Sequence, residues 1–157
     1  MPIDQLKKPL EITAEVFGST LASVELAENV ALEIAQAAGF HGDELEKIGL
    51  AVREVVANAV IHGNRLDAAK KVVLTAMRTE DRLEITVWDQ GKGFDVASLA
   101  DPLSSEVLLR GSGRGIYMAR AFMDEFRVEM GAAGGNTVSL VKFLRPKRSA
   151  PSKAGSP

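Results

Sequence analysis

Residues 42–63, GDELEKIGLAVREVVANAVIHG, are the stretch of sequence that determines the fold. Their apolar residues recur at intervals of three and four, which is the spacing of one face of an α-helix. The residues on this face are Leu45, Ile48, Val52, Val55, Val56, Ala59 and Val60. The pattern predicts an amphipathic helix from Gly42 to His62 that Gly63 ends, with its apolar stripe buried in the core.

Shorter patterns on either side predict both strands and helices. Alternating apolar residues predict strands at 10–17, 71–79, 82–88, 125–130 and 137–144, and helical spacing predicts helices at 19–38 and 115–123. Gly39 is a candidate C-cap, and Ile12, Ala14 and Val16 share one face of the first strand. Hairpin strands separated by helices are typical of an α+β fold, a two-layer α/β sandwich with helices on one face of a mostly antiparallel mixed sheet.

Composition and charge narrow the class of protein. The chain has 157 residues, 46% hydrophobic and 25% charged, which is the balance of one soluble globular domain. A net charge of −2 argues against a protein built around direct nucleic-acid binding. The absence of cysteine excludes disulfides and thiolate sites, and no apolar run is long enough to span a membrane. We therefore predict a cytoplasmic protein with no membrane contact.

The last thirteen residues differ in composition from the rest of the chain. Residues 145–157 carry four basic residues and no acidic one, and most of the others are Pro, Ser, Ala and Gly. Such a segment has too little apolar surface to fold. We predict a single domain over 1–144 and a basic, disordered tail over 145–157.

Three polar residues follow one edge of the long helix. Glu54, Asn58 and His62 are spaced i, i+4 and i+8, and their row borders the apolar stripe. Polar groups at such a half-buried edge need partners. A magnesium ion with phosphate would provide them, with Asn58 as an oxygen ligand and Glu54 as a proton acceptor. The alternative is an ordinary amphipathic helix whose polar residues face solvent.

Two glycine-rich segments follow. Asp89-Gln-Gly91-Lys-Gly93 comes directly after a strand, where a carboxylate stands beside backbone that a ligand can approach closely. Gly111-Ser-Gly-Arg-Gly115 opens a helix, where amide groups can converge on an anion. Taken alone, the first is an ordinary turn and the second a flexible hinge. The long stretch between them is typical of a functional or disordered loop.

In this order and spacing, the three segments resemble the ATP-site motifs of the Bergerat superfamily, which includes gyrase, mismatch-repair and histidine-kinase ATPase domains. The resemblance is strongest to the RsbW-type anti-sigma-factor serine/threonine kinases and covers roughly residues 8–144. The segments that carry it are EVVANAVIHG (54–63), DQGKGF (89–94) and GSGRGIYMARAFMDE (111–125).

The resemblance implies an ATP or ADP site with Mg²⁺. Asn58 would hold the metal ion, Asp89 would accept from the adenine amino group, and residues 95–110 would form a lid. The residues that the resemblance places around the base and the phosphates are His62, Gly91, Gly93, Phe94, Arg110, Gly111, Ser112, Gly113, Arg114, Gly115, Ile116 and Thr137.

Several of these positions have an alternative interpretation. Either Arg110 or Arg114 would contact the γ-phosphate, and Arg114 stands where the family more often has an apolar residue. Thr137 would assist at the adenine or is a β-branched strand residue, and His62 belongs to the helix motif or caps the helix.

The resemblance also implies an activity and partners. Glu54 would be the catalytic base that acts on a serine hydroxyl of an anti-sigma-factor antagonist, and the protein would bind a sigma factor and form a homodimer. The alternative is a nucleotide-regulated binding module that transfers no phosphate.

Overall fold

The computed structural model describes residues 9–91, 112–131 and 134–144, with only the backbone for 112–114. The elements are β1 (Glu11–Gly18), α1 (Leu21–Ala38), α2 (Gly42–Asn58), a π-helical turn (Ala59–Gly63), β2 (Lys71–Arg78), β3 (Arg82–Asp89), α3 (Ser112–Phe122), β4 (Glu125–Met130) and β5 (Asn136–Phe143). The tail over 145–157 lies outside the described residues, so its predicted disorder stays a prediction.

The strands form one five-stranded sheet in the order β1-β2-β3-β5-β4. Every neighbouring pair of these strands is antiparallel. Helix α2 packs against both α1 and α3 and covers one face of the sheet with them. The predicted α+β sandwich is confirmed, and its described sheet is more regular than the mixed sheet that we expected.

The apolar stripe of α2 fills the centre of the molecule. Six of its seven predicted residues are buried, and Leu45 is half-buried. They meet the helix-facing side chains of the sheet, including Val72, Leu74, Ile85, Val87 and Leu140. Full burial of each such side chain contributes about 1.5–3 kcal/mol, so this layer supplies much of the stability. No helix in the described part of the chain is both long enough and apolar enough to cross a membrane.

The long helix ends differently from the prediction. Its α-helical part stops at Asn58, and residues Ala59–Gly63 form a π-helical turn closed by the Asn64 amide, which donates to the Ala59 carbonyl at 2.8 Å. A π turn holds more residues than an α turn and is frequent at functional sites. The predicted i, i+4, i+8 row therefore does not continue to His62, which is exposed.

Both ends of α1 have a local cause. The Thr20 hydroxyl accepts from the Ser23 amide at 3.3 Å, so the helix begins two residues later than predicted. Gly39 adopts the left-handed conformation at φ 110°, and its amide donates to the Gln36 carbonyl at 3.0 Å. The predicted C-cap at Gly39 is confirmed.

The apolar row of β1 lies on the outside of the molecule. Ile12 and Val16 are 63% and 61% exposed. They pair with Met77 and Val73 of β2 on the sheet face opposite the helices. Only Phe17 of β1 packs against the core, so the apolar face of this strand is left open.

Candidate functional site

Four element ends meet at one end of the sandwich. They are the π turn after α2, the end of β3, the start of β5 and the start of α3. Asp89 ends β3 and is the register partner of Asn136 at the start of β5. Gly63 and Gly115 contact side chains of this region, Asp89 and Glu54 respectively. The fold thus brings together residues from all three predicted motifs.

Two glycines permit the close approach of the π turn to β3. A Cβ atom on Gly63 would lie 2.7 Å from Asp89 Cγ, and one on Gly91 would lie 2.7 Å from Gly63 Cα. Neither position has room for a side chain. The predicted role of Gly91 was to make room for a ligand base, whereas in the structure it makes room for the backbone of Gly63.

The carboxylate of Asp89 is 3% exposed. Its Oδ1 accepts from the Gly91 amide at 2.8 Å, and the Asn136 amide also donates to the carboxylate. Burial raises the pKa of Asp89, and these two amide bonds oppose the rise without cancelling it. A raised native pKa favours folding at low pH, and that contribution is lost as the pH rises through the raised pKa. Burial of the ionised carboxylate at neutral pH therefore costs stability.

Beside Asp89 lies a buried carboxamide. Asn136 has no exposed surface, and neither its Nδ2 nor its Oδ1 has a hydrogen-bond partner among the described residues. A buried polar atom without a partner costs about 1–3 kcal/mol. A carboxylate next to a carboxamide fits the edge of an adenine ring, which offers an amino donor and ring-nitrogen acceptors. The described residues therefore fit an adenine nucleotide.

Thr137 is the neighbour of Asn136 but lies on the other face of the sheet. Its register partner is Trp88, whereas the register partner of Asn136 is Asp89. The structure does not bring Thr137 to Asp89. The strand period of two contains the signal for this, because counting back from Val138 and Leu140, which β5 contributes to the hydrophobic core, leads to Asn136.

The third glycine of the last motif contacts the first motif. A Cβ atom on Gly115 would collide with Glu54 Oε2 and lie 2.8 Å from Glu54 Cδ. Helix α3 begins at Ser112, three residues earlier than the predicted start at Gly115, so residues 112–115 form its first turn. Ile116 is buried and anchors this turn in the core. The amide end of α3 and the carboxylate of Glu54 are therefore close neighbours.

Glu54 and Asn58 keep the i, i+4 spacing that the sequence predicts, because both belong to α2. Both side chains are half-buried. Several predicted site residues cannot be placed, because Gly93, Phe94, Arg110, Gly111 and the lid segment 95–110 lie outside the described residues. The side chains of Ser112 and Arg114, and the surroundings of Gly113, lie outside them as well.

Comparison with known proteins agrees with this geometry. Residues 17–142 match the family described as the histidine kinase-like ATPase domain. The chain belongs to this family. It is 38% identical over 121 residues to the serine-protein kinase RsbW of Bacillus licheniformis, covering 73% of this chain and 74% of that protein. It is 32% identical over 133 residues to the anti-sigma F factor of Oceanobacillus iheyensis, covering 80% and 91%. The chain is therefore an RsbW-type member of the histidine kinase-like ATPase family.

Solved structures share the fold of this RsbW-type chain. The RsbU and RsbW domains of Rv1364c from Mycobacterium tuberculosis superpose with a TM-score of 0.63 at 23% identity, over 89% of this chain and 34% of that one. The catalytic domain of histidine kinase ThkA superposes with a TM-score of 0.55 at 14% identity, over 87% of this chain and all of that one.

The first prediction concerns Asp89. Asp89→Asn should weaken ADP binding about ten- to hundredfold, because one of two carboxylate acceptors becomes a donor and a charged hydrogen bond is worth about 1.5–3 kcal/mol. Isothermal titration with Mg-ADP measures the affinity. An affinity equal to that of the wild-type protein would show that Asp89 only shapes the turn.

The second prediction separates Asn136 from Thr137. Asn136→Leu should weaken ADP binding about tenfold, because the base loses a polar partner. Without nucleotide its free energy of unfolding should not fall, and should rise by up to about 3 kcal/mol as two unpartnered atoms are removed. Thr137→Val, on the opposite face, is the control and should bind ADP like the wild type. Denaturant unfolding and ADP titration of both variants measure stability and affinity. If Thr137→Val weakens ADP binding and Asn136→Leu does not, the contact with the base belongs to Thr137.

Proposed function

We propose that this protein is an ATP-binding anti-sigma factor and serine protein kinase that phosphorylates an anti-sigma-factor antagonist in a partner-switching pathway. The observation that carries the proposal is the contact between Glu54 and Gly115, which sets a carboxylate against the first turn of α3. A helix N-terminus favours phosphate, and a carboxylate beside it is suited to accept a proton. The relatives named as serine-protein kinase and anti-sigma factor support the same activity.

The nucleotide would lie across the four element ends. Asp89 and Asn136 would hold the adenine ring, and the amide groups at the start of α3 would hold the phosphates. The base end is supported by the raised pKa of Asp89 and by the buried polar atoms of Asn136, which find no partner within residues 9–91, 112–131 and 134–144. The phosphate end is supported by the glycine at 115, where a side chain would displace Glu54.

Asn58 would be the magnesium ligand of this site. It lies one α-helical turn after Glu54. Magnesium is usually held by one or two protein oxygens together with phosphate oxygens and water, so a single carboxamide is a sufficient protein contribution. Within the described residues no three His, Asp or Glu side chains form a metal-binding group, so the phosphates and water would complete the coordination. The ion would neutralise charge on the phosphates.

Glu54 would be the catalytic base. Phosphoryl transfer depends mostly on positioning and charge stabilisation. As the serine oxygen of the antagonist forms a bond to the γ-phosphorus and the bond to the ADP oxygen breaks, Glu54 would accept the hydroxyl proton. One of Arg110 and Arg114 would supply the cation at the γ-phosphate.

The proposed partners are a sigma factor and an anti-sigma-factor antagonist that carries the substrate serine, and the proposed location is the cytoplasm. Occupation of the site by ATP or ADP would change the affinity for each partner. The net charge of −2 argues against a direct contact with nucleic acid.

We also propose a homodimer formed through the open face of β1 and β2. Ile12, Val16, Val73 and Met77 share this face, and no charged side chain interrupts the pairs that they form. Charge lies over the other half of the sheet, where Arg127 Nη2 contacts Glu84 Oε1 at 3.2 Å. An uncharged apolar face meets no like-charge repulsion from its own copy, so a two-fold axis can bury it against itself.

The third prediction tests Glu54 as the catalytic base. Glu54→Gln keeps the size of the side chain but cannot accept a proton, so transfer of phosphate to the antagonist should slow by about 10²–10⁴-fold while ADP affinity is retained. The measurement is phosphoserine formation on candidate antagonists from the same genome, followed by mass spectrometry. Glu46→Gln, on an exposed part of α2, is the matched control and should react like the wild type.

Two results would contradict parts of this proposal. Undiminished phosphorylation by Glu54→Gln would remove Glu54 as the base. A wild-type protein that binds ADP and partner but phosphorylates no antagonist would instead be a nucleotide-regulated binding module.

The fourth prediction tests the dimer. Wild-type protein should sediment at about twice the 16.8 kDa of one chain, and Val16→Glu should sediment as a monomer because it places a charge on the apolar face. Leu26→Glu introduces the same charge at an exposed position of α1 and should remain a dimer. Sedimentation equilibrium of the three proteins, with circular dichroism to confirm folding, decides the matter. A dimeric Val16→Glu would place the interface elsewhere.

A further inference from the structure

A fully buried asparagine follows the π turn. Asn64 has no exposed surface, and its amide closes the turn by donating to the Ala59 carbonyl. It lies at none of the positions that the three sequence motifs assign to nucleotide. Fully buried Asn is uncommon, since a carboxamide is stable in the interior only when its donors and acceptor are paired.

The side chain of Asn64 is paired in three directions. Its Nδ2 donates to Ser19 Oγ at 2.7 Å and to the Lys71 carbonyl at 2.9 Å. Its Oδ1 accepts from the Gln90 amide at 2.8 Å. One carboxamide therefore connects the turn before α1, the start of β2 and the end of β3.

The contact with Gln90 acts directly on the candidate nucleotide site. Gln90 stands between Asp89 and Gly91, and the Gly91 amide donates to Asp89 Oδ1. The Gln90 side chain accepts from the Lys71 amide at 2.6 Å, and this bond connects Gln90 to the start of β2. Asn64 therefore holds the peptide that joins Asp89 to Gln90, directly beside the Asp89 carboxylate.

The backbone after Asn64 is strained. Arg65 and Leu66 adopt positive φ angles of 53° and 59°, which residues other than glycine rarely do. The Leu66 amide donates to the Val60 carbonyl at 2.8 Å, so the chain doubles back over the π turn. Such conformations persist only where surrounding contacts hold them, and they cluster at functional sites. The side-chain bonds of Asn64 hold this segment together with the backbone bond from the Leu66 amide to the Val60 carbonyl.

We infer that Asn64 is a positioning residue for adenine recognition: it fixes the Asp89–Gly91 turn against the end of α2 and links that turn to Ser19 in front of α1. This inference rests on the proposed nucleotide site. The role of Asn64 is distinct from that of Asn136, because all the polar atoms of its side chain are occupied by the protein itself.

The fifth prediction compares loss of nucleotide affinity with loss of stability. Asn64→Ala removes all three side-chain bonds and should weaken Mg-ADP binding about tenfold or more. Ser19→Ala removes two bonds at the far end of the network, those of its hydroxyl with Asn64 Nδ2 and with the Lys70 carbonyl, and is the matched control. It should lower the free energy of unfolding while changing ADP affinity less than about twofold. Calorimetric titration and denaturant unfolding measure the two quantities on the full chain.

A double-mutant cycle shows whether Asn64 acts through Asp89. In the Asp89→Asn background, Asn64→Ala should cost less than about twofold in further ADP affinity, because the carboxylate that it positions is already lost. Additive losses in the cycle would overturn the inference. An ADP affinity of Asn64→Ala equal to that of the wild type would overturn it as well.

Asn64→Asp tests the inference even if the alanine variant does not fold. The aspartate retains an acceptor for the Gln90 amide and loses the donors to Ser19 and Lys71. It should be less stable than the wild type yet bind ADP within about threefold of it, and a loss of about tenfold or more would contradict the inference. A wild-type protein that binds no ADP would instead refute the proposed nucleotide site.

Discussion

The site depends on how closely the end of the long helical segment approaches the end of β3. Gly63 and Asp89 are in contact with no room for a Cβ atom, and Gly91 packs on the same backbone from the other side. This approach covers the Asp89 carboxylate, which the pairing of β3 with β5 places beside Asn136. Without it the carboxylate would be an ordinary solvated turn residue with an ordinary pKa.

Stability and function oppose each other at this point. Burial raises the pKa of Asp89, and the two polar atoms of Asn136 have no hydrogen-bond partner in the part of the chain that the structure describes. Both features cost folding free energy in the absence of a ligand, and both provide groups that a purine base can satisfy. The central layer of α2 against the sheet supplies the stability that offsets this cost. Functional sites commonly break the rule of full polar pairing in this way.

The sequence predicted the features that depend on period and composition. The apolar stripe of α2, the Gly39 cap and the hairpin strands each have a local pattern, and the structure confirms them. The features that were missed depend on contacts between distant segments. The outward orientation of Ile12 and Val16 follows from the pairing of β1 at the sheet edge, which the pattern within one strand does not contain. The central position of Asn64 requires Ser19, Lys71 and Gln90 to meet, and these lie far apart in sequence.

The π-helical turn has a consequence for how this protein can evolve. A π turn is closed by an i→i+5 hydrogen bond, which spans one residue more than the i→i+4 bond of an α-helix. Deletion of a single residue from 59–63 would restore α-helical geometry and rotate Gly63 away from Asp89. We therefore expect selection to act on the chain length of this segment, in addition to the requirement for glycine at Gly63. Within lineages that keep this geometry, substitutions at the exposed positions Ile61 and His62 should be tolerated while insertions and deletions are purged.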